Sequence, residues 1–185
     1  MPAPRSYCEF VWSTEPGNVH VHYHDHEYGF PILDDNELFA RLVLEINQAG
    51  LSWTTILNKK DNFFKAYDNF DIAKVARYTD KKVEKLLQDA GIIRNRLKIA
   101  AAIENAKRIK QIQKEKGSFK AWLDAHYPLS REEWTKLFKQ TFKFTGGEIV
   151  NEFIVSTGYL PGAHVPDCPI YKKVLKSKPM WMKKI

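Results

Sequence analysis

A chain of 185 residues with 44% hydrophobic and 13% aromatic side chains is long enough to build a packed core, which excludes an intrinsically disordered protein. No apolar run approaches the roughly 20 residues of a membrane span, the opening MPAPRSYCEF lacks a signal-like core, and Cys8 and Cys168 alone cannot form a disulfide framework. The expectation is a cytoplasmic, monomeric, single domain over 1–185 with no membrane partner, and the net charge of +7 favours a polyanion such as nucleic acid.

Residues 5–33 carry much punctuation and few helical signals. Pro16-Gly17-Asn18 predicts one turn, and Gly29 with Pro31 predicts another. Between them, His20, His22, His24 and His26 alternate; they would share one face of a strand, and in irregular chain they need not. With Cys8 upstream, this cluster suits either a metal site or a solvated loop. The first clear helix spans 34–50, capped by Asp34 or Asp35 and ended by Gly50, with Leu38, Leu42, Val43 and Ile46 as its buried stripe. Glu45 borders that stripe. Its carboxylate is either solvated at the rim or turned into a cavity, where it would be functional. Ser52 caps the next helix, over 53–70, whose Trp53, Ile56, Leu57, Phe63, Phe64 and Tyr67 read first as core.

Short helices are expected at 71–77 and 80–90, the second capped by Thr79. The stretch LLQDAGIIRNRLKIAAAIENAK then predicts a helix ending at Ala90, a turn of Gly91-Ile92-Ile93, and a second helix from near Arg94. Gly91 stands where a helix most often closes in the left-handed conformation. Ile92 and Ile93 are apolar enough to pack the turn against its own helices. The following helix start, with Arg94, Asn95, Arg96 and Lys98, offers free N–H groups and a positive dipole end to a phosphate. This is the pattern of a helix-hairpin-helix, which grips a DNA backbone without reading bases; a plain αα-hairpin is the alternative. Leu97, Ala100, Ala101, Ala106 and Ile109 are expected to face the core from that long helix, which ends before Gly117. Ser118 caps one further helix and a capping box at Ser130–Glu133 opens another; Gly146-Gly147 precede a last one closed by Gly158. With no strand alternation and no repeat, the fold class is all-α.

The tail adds His164 and Cys168, at metal-ligand spacing beside two prolines. Together with Cys8 and one N-terminal histidine they would complete a tetrahedral Cys₂His₂ zinc site pinning the two irregular ends together.

Five segments, YHDHEYGFP, LEINQAGLSWTTIL, QDAGIIRNRLKI, FKFTGGEIV and HVPDC, occur in one order and resemble the bacterial 3-methyladenine DNA glycosylase I family from Cys8 to about Tyr171. The resemblance implies a helix-hairpin-helix DNA glycosylase fold whose 5–33 and 159–171 segments are tethered by a structural zinc. It implies Cys8, His24, His164 and Cys168 as ligands. It places the alkylated-base pocket on Tyr23, Glu45 and Trp53, with Glu45 as the catalytic carboxylate, and the phosphate contacts on Gly91, Ile93 and Arg94. The activity implied is monofunctional excision of 3-methyladenine from alkylated double-stranded DNA, with the base flipped into the pocket.

The chain departs from the family at several points. Ile46 stands where glycine is usual and could narrow the pocket. His20 takes the place of a second pocket tyrosine, Phe10 or Trp12 must replace a tryptophan, and Gly146-Gly147-Glu148 replaces a hydroxyl-rich run. These departures support one rival, a non-catalytic zinc-stapled DNA-binding module. A second rival, a glycosylase/lyase, needs a lysine nucleophile near the hairpin, for which Lys98 is the candidate.

Overall fold

The computed structural model describes residues 4–183. In chain order the helices are α1 (Tyr7–Trp12), α2 (Val19–His26), α3 (Asp35–Gln48), α4 (Trp53–Ala66), α5 (Ile72–Val75), α6 (Asp80–Gln88), α7 (Arg96–Lys116), α8 (Phe119–His126), α9 (Arg131–Thr141), α10 (Gly147–Ser156) and α11 (Pro169–Lys176). Two 3₁₀ turns, Asp68–Phe70 and Met180–Met182, complete the order, and no strand occurs among the described residues. None of these helices is long and apolar enough to cross a membrane.

The molecule is assembled around α3. Asp34 caps it by accepting from the amides of Asn36 and Glu37. Every residue from Leu38 to Asn47 is buried, where the sequence pattern predicted only a stripe, because α4, α7, α8 and α10 all pack against this helix. Its Leu38, Leu42 and Ile46 meet Ile56 and Phe63 of α4, Ile99 and Ala106 of α7, Phe119 of α8 and Phe153 of α10 in one core. A helix enclosed on all sides can retain polar side chains only for a reason, and α3 retains Arg41, Glu45 and Asn47. Asn47 is explained locally, since its amide donates to the Val43 carbonyl at 2.8 Å.

The N-terminal segment differs from expectation: Tyr7–Trp12 and Val19–His26 are helical. The Ser6 hydroxyl accepts from the Glu9 amide and the Asn18 carboxamide from the His20 amide, so both ends are capped. The inward face of α2 is His20, Tyr23 and His24, which is aromatic and polar, so no aliphatic stripe marked it in the sequence. His22, two residues out of phase, is exposed. Gly29 follows at φ +81°, and a Cβ there would stand 2.6 Å from Ala163 Cβ, so only glycine lets the two terminal segments approach this closely.

Two details of the hairpin also change. Gly91 is not left-handed; it is required by space, because a Cβ would stand 2.9 Å from Asp89 Oδ1 and 3.1 Å from Asn62 Cβ. Helix α6 stops at Gln88 instead of Ala90, and α7 begins at Arg96, capped by Asn95. That start sets the phase of α7: Ile99, Ala102, Ala106 and Ile109 face inward, whereas Leu97 is 70% exposed and Ala100 is exposed. Ile92 is buried and Ile93 packs on the core, as the apolar turn predicted.

Candidate active site, hairpin and metal centre

Tyr23, Glu45 and Trp53, far apart in sequence, come together on one cavity of about 360 Å³, within the size range of small-ligand sites. Helix α3 presents Glu45, α4 presents Trp53 at its first turn, and α2 presents Tyr23, whose ring meets Trp53 edge-on at 5.1 Å between centroids. Tyr7, Tyr28, Gln48 and Glu152 complete the lining. Sequence reading missed these four. For Glu152 a signal existed, since it is the one acidic side chain past the first turn of α10 and stands directly before the apolar run Phe153–Val155.

Glu45 is 3% exposed. Burial pushes its carboxyl up to about 8; the Arg41 guanidinium one turn earlier pulls it back down, and Glu152 raises it further. Facing it across the cavity are three phenols, Tyr7, Tyr23 and Tyr28, which burial holds in the neutral form. Glu152 is half-buried and its Oε2 accepts from Tyr28 Oη at 3.3 Å. The site therefore offers aromatic faces, a desolvated carboxyl and a second carboxylate, a combination suited to a flat cation.

Three of the departures now have a structural reading. Ile46 is 1% exposed within the main core and does not line the cavity, so it does not narrow the pocket. His20 lies behind the lining, its Nδ1 paired with Tyr7 Oη and its Nε2 with Thr54 Oγ1, both at 2.8 Å. It thereby holds Tyr7 in the wall, so a tyrosine expected from position 20 comes from position 7. Phe10 stacks on Tyr7 and meets His20 edge-on, while Trp12 is 49% exposed; neither reaches the cavity.

The hairpin follows directly. The Gly91 amide is taken by Asp89 Oδ1 at 2.8 Å, whereas those of Ile93 and Arg94 donate to no acceptor among the described residues. Both precede the N-terminus of the 21-residue α7, where backbone donors and the helix dipole favour an anion. The Arg94 side chain is exposed beside them. Lys98, by contrast, is buried: its Nζ donates to the Asn47 and Ala49 carbonyls at 2.9 and 2.7 Å, capping α3. Burial lowers its pKa, the direction a nucleophilic amine needs, but two of its three protons are held by carbonyls and it does not line the cavity. It is a helix cap.

Cys8, His24, His164 and Cys168 are all buried, with one ligand atom from each within 4.8 Å of every other. Sγ of Cys168 lies 3.7 Å from both His24 Nε2 and His164 Nδ1, and Sγ of Cys8 lies 3.6 Å from His164 Nδ1. A tetrahedral metal with these donors has ligand–ligand edges of roughly 3.5 Å, so the set fits a metal ion. The outer ring nitrogens are committed elsewhere: His24 Nδ1 to Asp25 Oδ1 at 2.6 Å, and His164 Nε2 to the Tyr28 carbonyl at 2.8 Å. Each imidazole thus has its tautomer fixed with the inner nitrogen free to ligate. Burial pushes the Cys8 thiol up to about 11, so without a cation it stays protonated, and a bound cation would take the thiolate. His20, His22 and His26 stand outside the cluster.

A helical body that sets an anion-receptive hairpin beside an aromatic, acidic cavity is the architecture of a helix-hairpin-helix DNA glycosylase. The family model described as methyladenine glycosylase matches residues 12–132. Over 183 residues the chain is 36% identical to DNA-3-methyladenine glycosylase 1 of Escherichia coli, covering 89% of this chain and 96% of that protein. Over 171 residues it is 32% identical to a DNA-3-methyladenine glycosylase of Haemophilus influenzae, covering 82% and 92%. The structure matches 3-methyladenine DNA glycosylase I from Staphylococcus aureus, solved to explain its recognition of 3-methyladenine, with a TM-score of 0.78 at 31% identity, covering 86% of this chain and 94% of that one. The chain belongs to the methyladenine glycosylase family.

Proposed function

We propose that this protein is a monofunctional DNA glycosylase that excises 3-methyladenine from alkylated double-stranded DNA. The observation that carries the reading is Glu45, a carboxyl buried among aromatic rings in a cavity whose Gln48 lies between the two carbonyls, Asn47 and Ala49, held by Lys98 from the start of α7. Such a group costs stability unless a cationic ligand uses it, which a non-catalytic module would have no reason to maintain. A 3-methylated adenine in DNA carries positive charge. Flipped from the stack, it is held by Trp53 and the tyrosines through cation–π attraction of about 0.5–2 kcal/mol and by Glu45 as it ionises. The same charge weakens the N-glycosidic bond. The base leaves with the bonding pair and becomes neutral, water adds to the sugar C1′, and one proton is released. No lysine adduct is involved.

Zinc, bound by Cys8, His24, His164 and Cys168, is assigned a structural role. None of these four lines the cavity, but His164 reaches the Tyr28 carbonyl, so the centre steadies a pocket wall while tethering 5–33 to 159–171.

Two outcomes test this reading. With Glu45 needing to be ionised and its carboxyl near 8, kcat/KM for excision rises with pH through about 8. Glu152→Gln removes the neighbouring negative charge and moves that midpoint down; a flat profile contradicts the role of Glu45. The hairpin is tested by salt. With about six phosphates met by Gly91, Ile93, Arg94 and their neighbours, affinity for duplex DNA falls on the order of 10³-fold between 50 and 200 mM salt, and a flat response rejects the phosphate grip.

A further inference from the structure

We propose that Arg41 is a positioning residue of the base pocket, fixing Tyr23 as a hydrogen-bond donor toward the bound base; the inference rests on the pocket reading above. Arg41 is 5% exposed on α3 and does not line the Glu45 cavity. It lies behind that cavity, on a second one of about 290 Å³, and the Tyr23 and Trp53 rings, which line both, form the partition between them. From behind, its Nη1 donates to Tyr23 Oη at 3.0 Å and its guanidinium sits 4.9 Å from the Tyr23 ring centroid. Its Nη2 donates to Glu27 Oε2 at 3.2 Å, and Glu27 is held in turn by Lys60. The guanidinium is thus locked in place by a carboxylate that Lys60 would keep paired if Arg41 were removed.

The chemistry of the contact is one-sided. Arginine has only donors, so Tyr23 Oη must accept from it. The phenol hydrogen is then left to donate, and no acceptor for it occurs among the described residues. Because the ring also lines the Glu45 cavity, a ligand bound there supplies the acceptor, such as an unmethylated ring nitrogen of a purine. With Glu45 accepting on the same wall, the pair matches a base edge that carries a donor beside an acceptor. A tyrosine without Arg41 behind it could turn its hydrogen elsewhere and would lose that polarity. The guanidinium also opposes Glu152 in setting the ionisation of Glu45, which the phenols of Tyr7, Tyr23 and Tyr28 face as well.

The test is a double-mutant cycle on the metal-loaded full chain, titrating free 3-methyladenine by calorimetry into wild type, Tyr23→Phe, Arg41→Met and the double variant. Tyr23→Phe weakens binding about 10-fold when Arg41 is present and less than about 3-fold in the Arg41→Met background. In parallel, Arg41→Met moves the pH midpoint of excision upward, which loss of packing alone would not do. Equal Tyr23→Phe factors in both backgrounds overturn the role of Arg41 and leave the pocket intact. Full affinity in Tyr23→Phe overturns the donor role of Tyr23 and with it that of Arg41, while absence of wild-type binding overturns the pocket reading itself and the proposal with it. If Arg41→Met does not fold, Arg41→Lys carries the cycle: it keeps the charge and the pH midpoint but cannot bridge Tyr23 and Glu27 together, so the same loss of coupling is expected.

Discussion

Glu45→Gln lowers excision of 3-methyladenine by about 10²- to 10³-fold, the loss expected when a charge-stabilising group is removed from a desolvated site. Binding to undamaged duplex stays nearly unchanged, because the hairpin donors lie outside the cavity. The substitution keeps shape and removes only the charge. It also relieves α3 of a carboxyl that burial holds near 8, so the variant is at least as stable as wild type at neutral pH and above. The sign follows from linkage: a carboxyl raised in the folded state opposes folding wherever the unfolded chain would ionise it, from about pH 4.5 upward. Parallel loss of excision and of undamaged-DNA affinity in this variant would make Glu45 a structural residue.

The second large effect is at the metal centre. Cys168→Ser abolishes metal binding at the Cys8, His24, His164 and Cys168 cluster, read as one metal ion per chain in wild type and none in the variant. It destabilises the protein by at least about 3 kcal/mol, since structural metal binding is coupled to folding. For a chain of this length, that lowers Tm by about 6–12 °C. The damage reaches further than the ligands. Cys168 packs with Cys8, Ile170 and Val174 in a small cluster separate from the main core, and His164 holds the Tyr28 carbonyl of the pocket wall. Base affinity therefore falls together with metal content. Unchanged metal content in the variant would reject this ligand set.

Where the sequence was legible, a strong local signal coincided with the tertiary outcome. Ser52, Ser118 and Ser130 cap the helices the sequence predicts, and of the candidates Asp34 and Asp35 it is Asp34 that caps α3, because a side-chain oxygen before an amphipathic run has few other partners. Cys8 and Cys168 were readable as a pair of half-sites, because buried cysteines beside histidines have few alternatives. The illegible parts have physical causes. Helix α2 buries histidine and tyrosine instead of leucine, so its inward face looked polar. In α7, Ala101, Ala106 and Ile109 are buried as the sequence predicts, while Leu97 and Ala100 are exposed, because Lys98 reads as a surface residue and yet turns inward to cap α3. A glycine at position 91 suggests a left-handed backbone from sequence alone, whereas its constraint is the nearness of Asn62, a contact from another helix. Tyr7 reaches the cavity from the N-terminal end of the chain, which no local pattern records.

Base release from methylated duplex DNA, with 3-methyladenine and 7-methylguanine separated chromatographically, tests the central claim most directly. The wild-type protein is expected to release 3-methyladenine well above the spontaneous rate. Failure to release any base from DNA that the protein binds would contradict the account and return the chain to a zinc-tethered DNA-binding module.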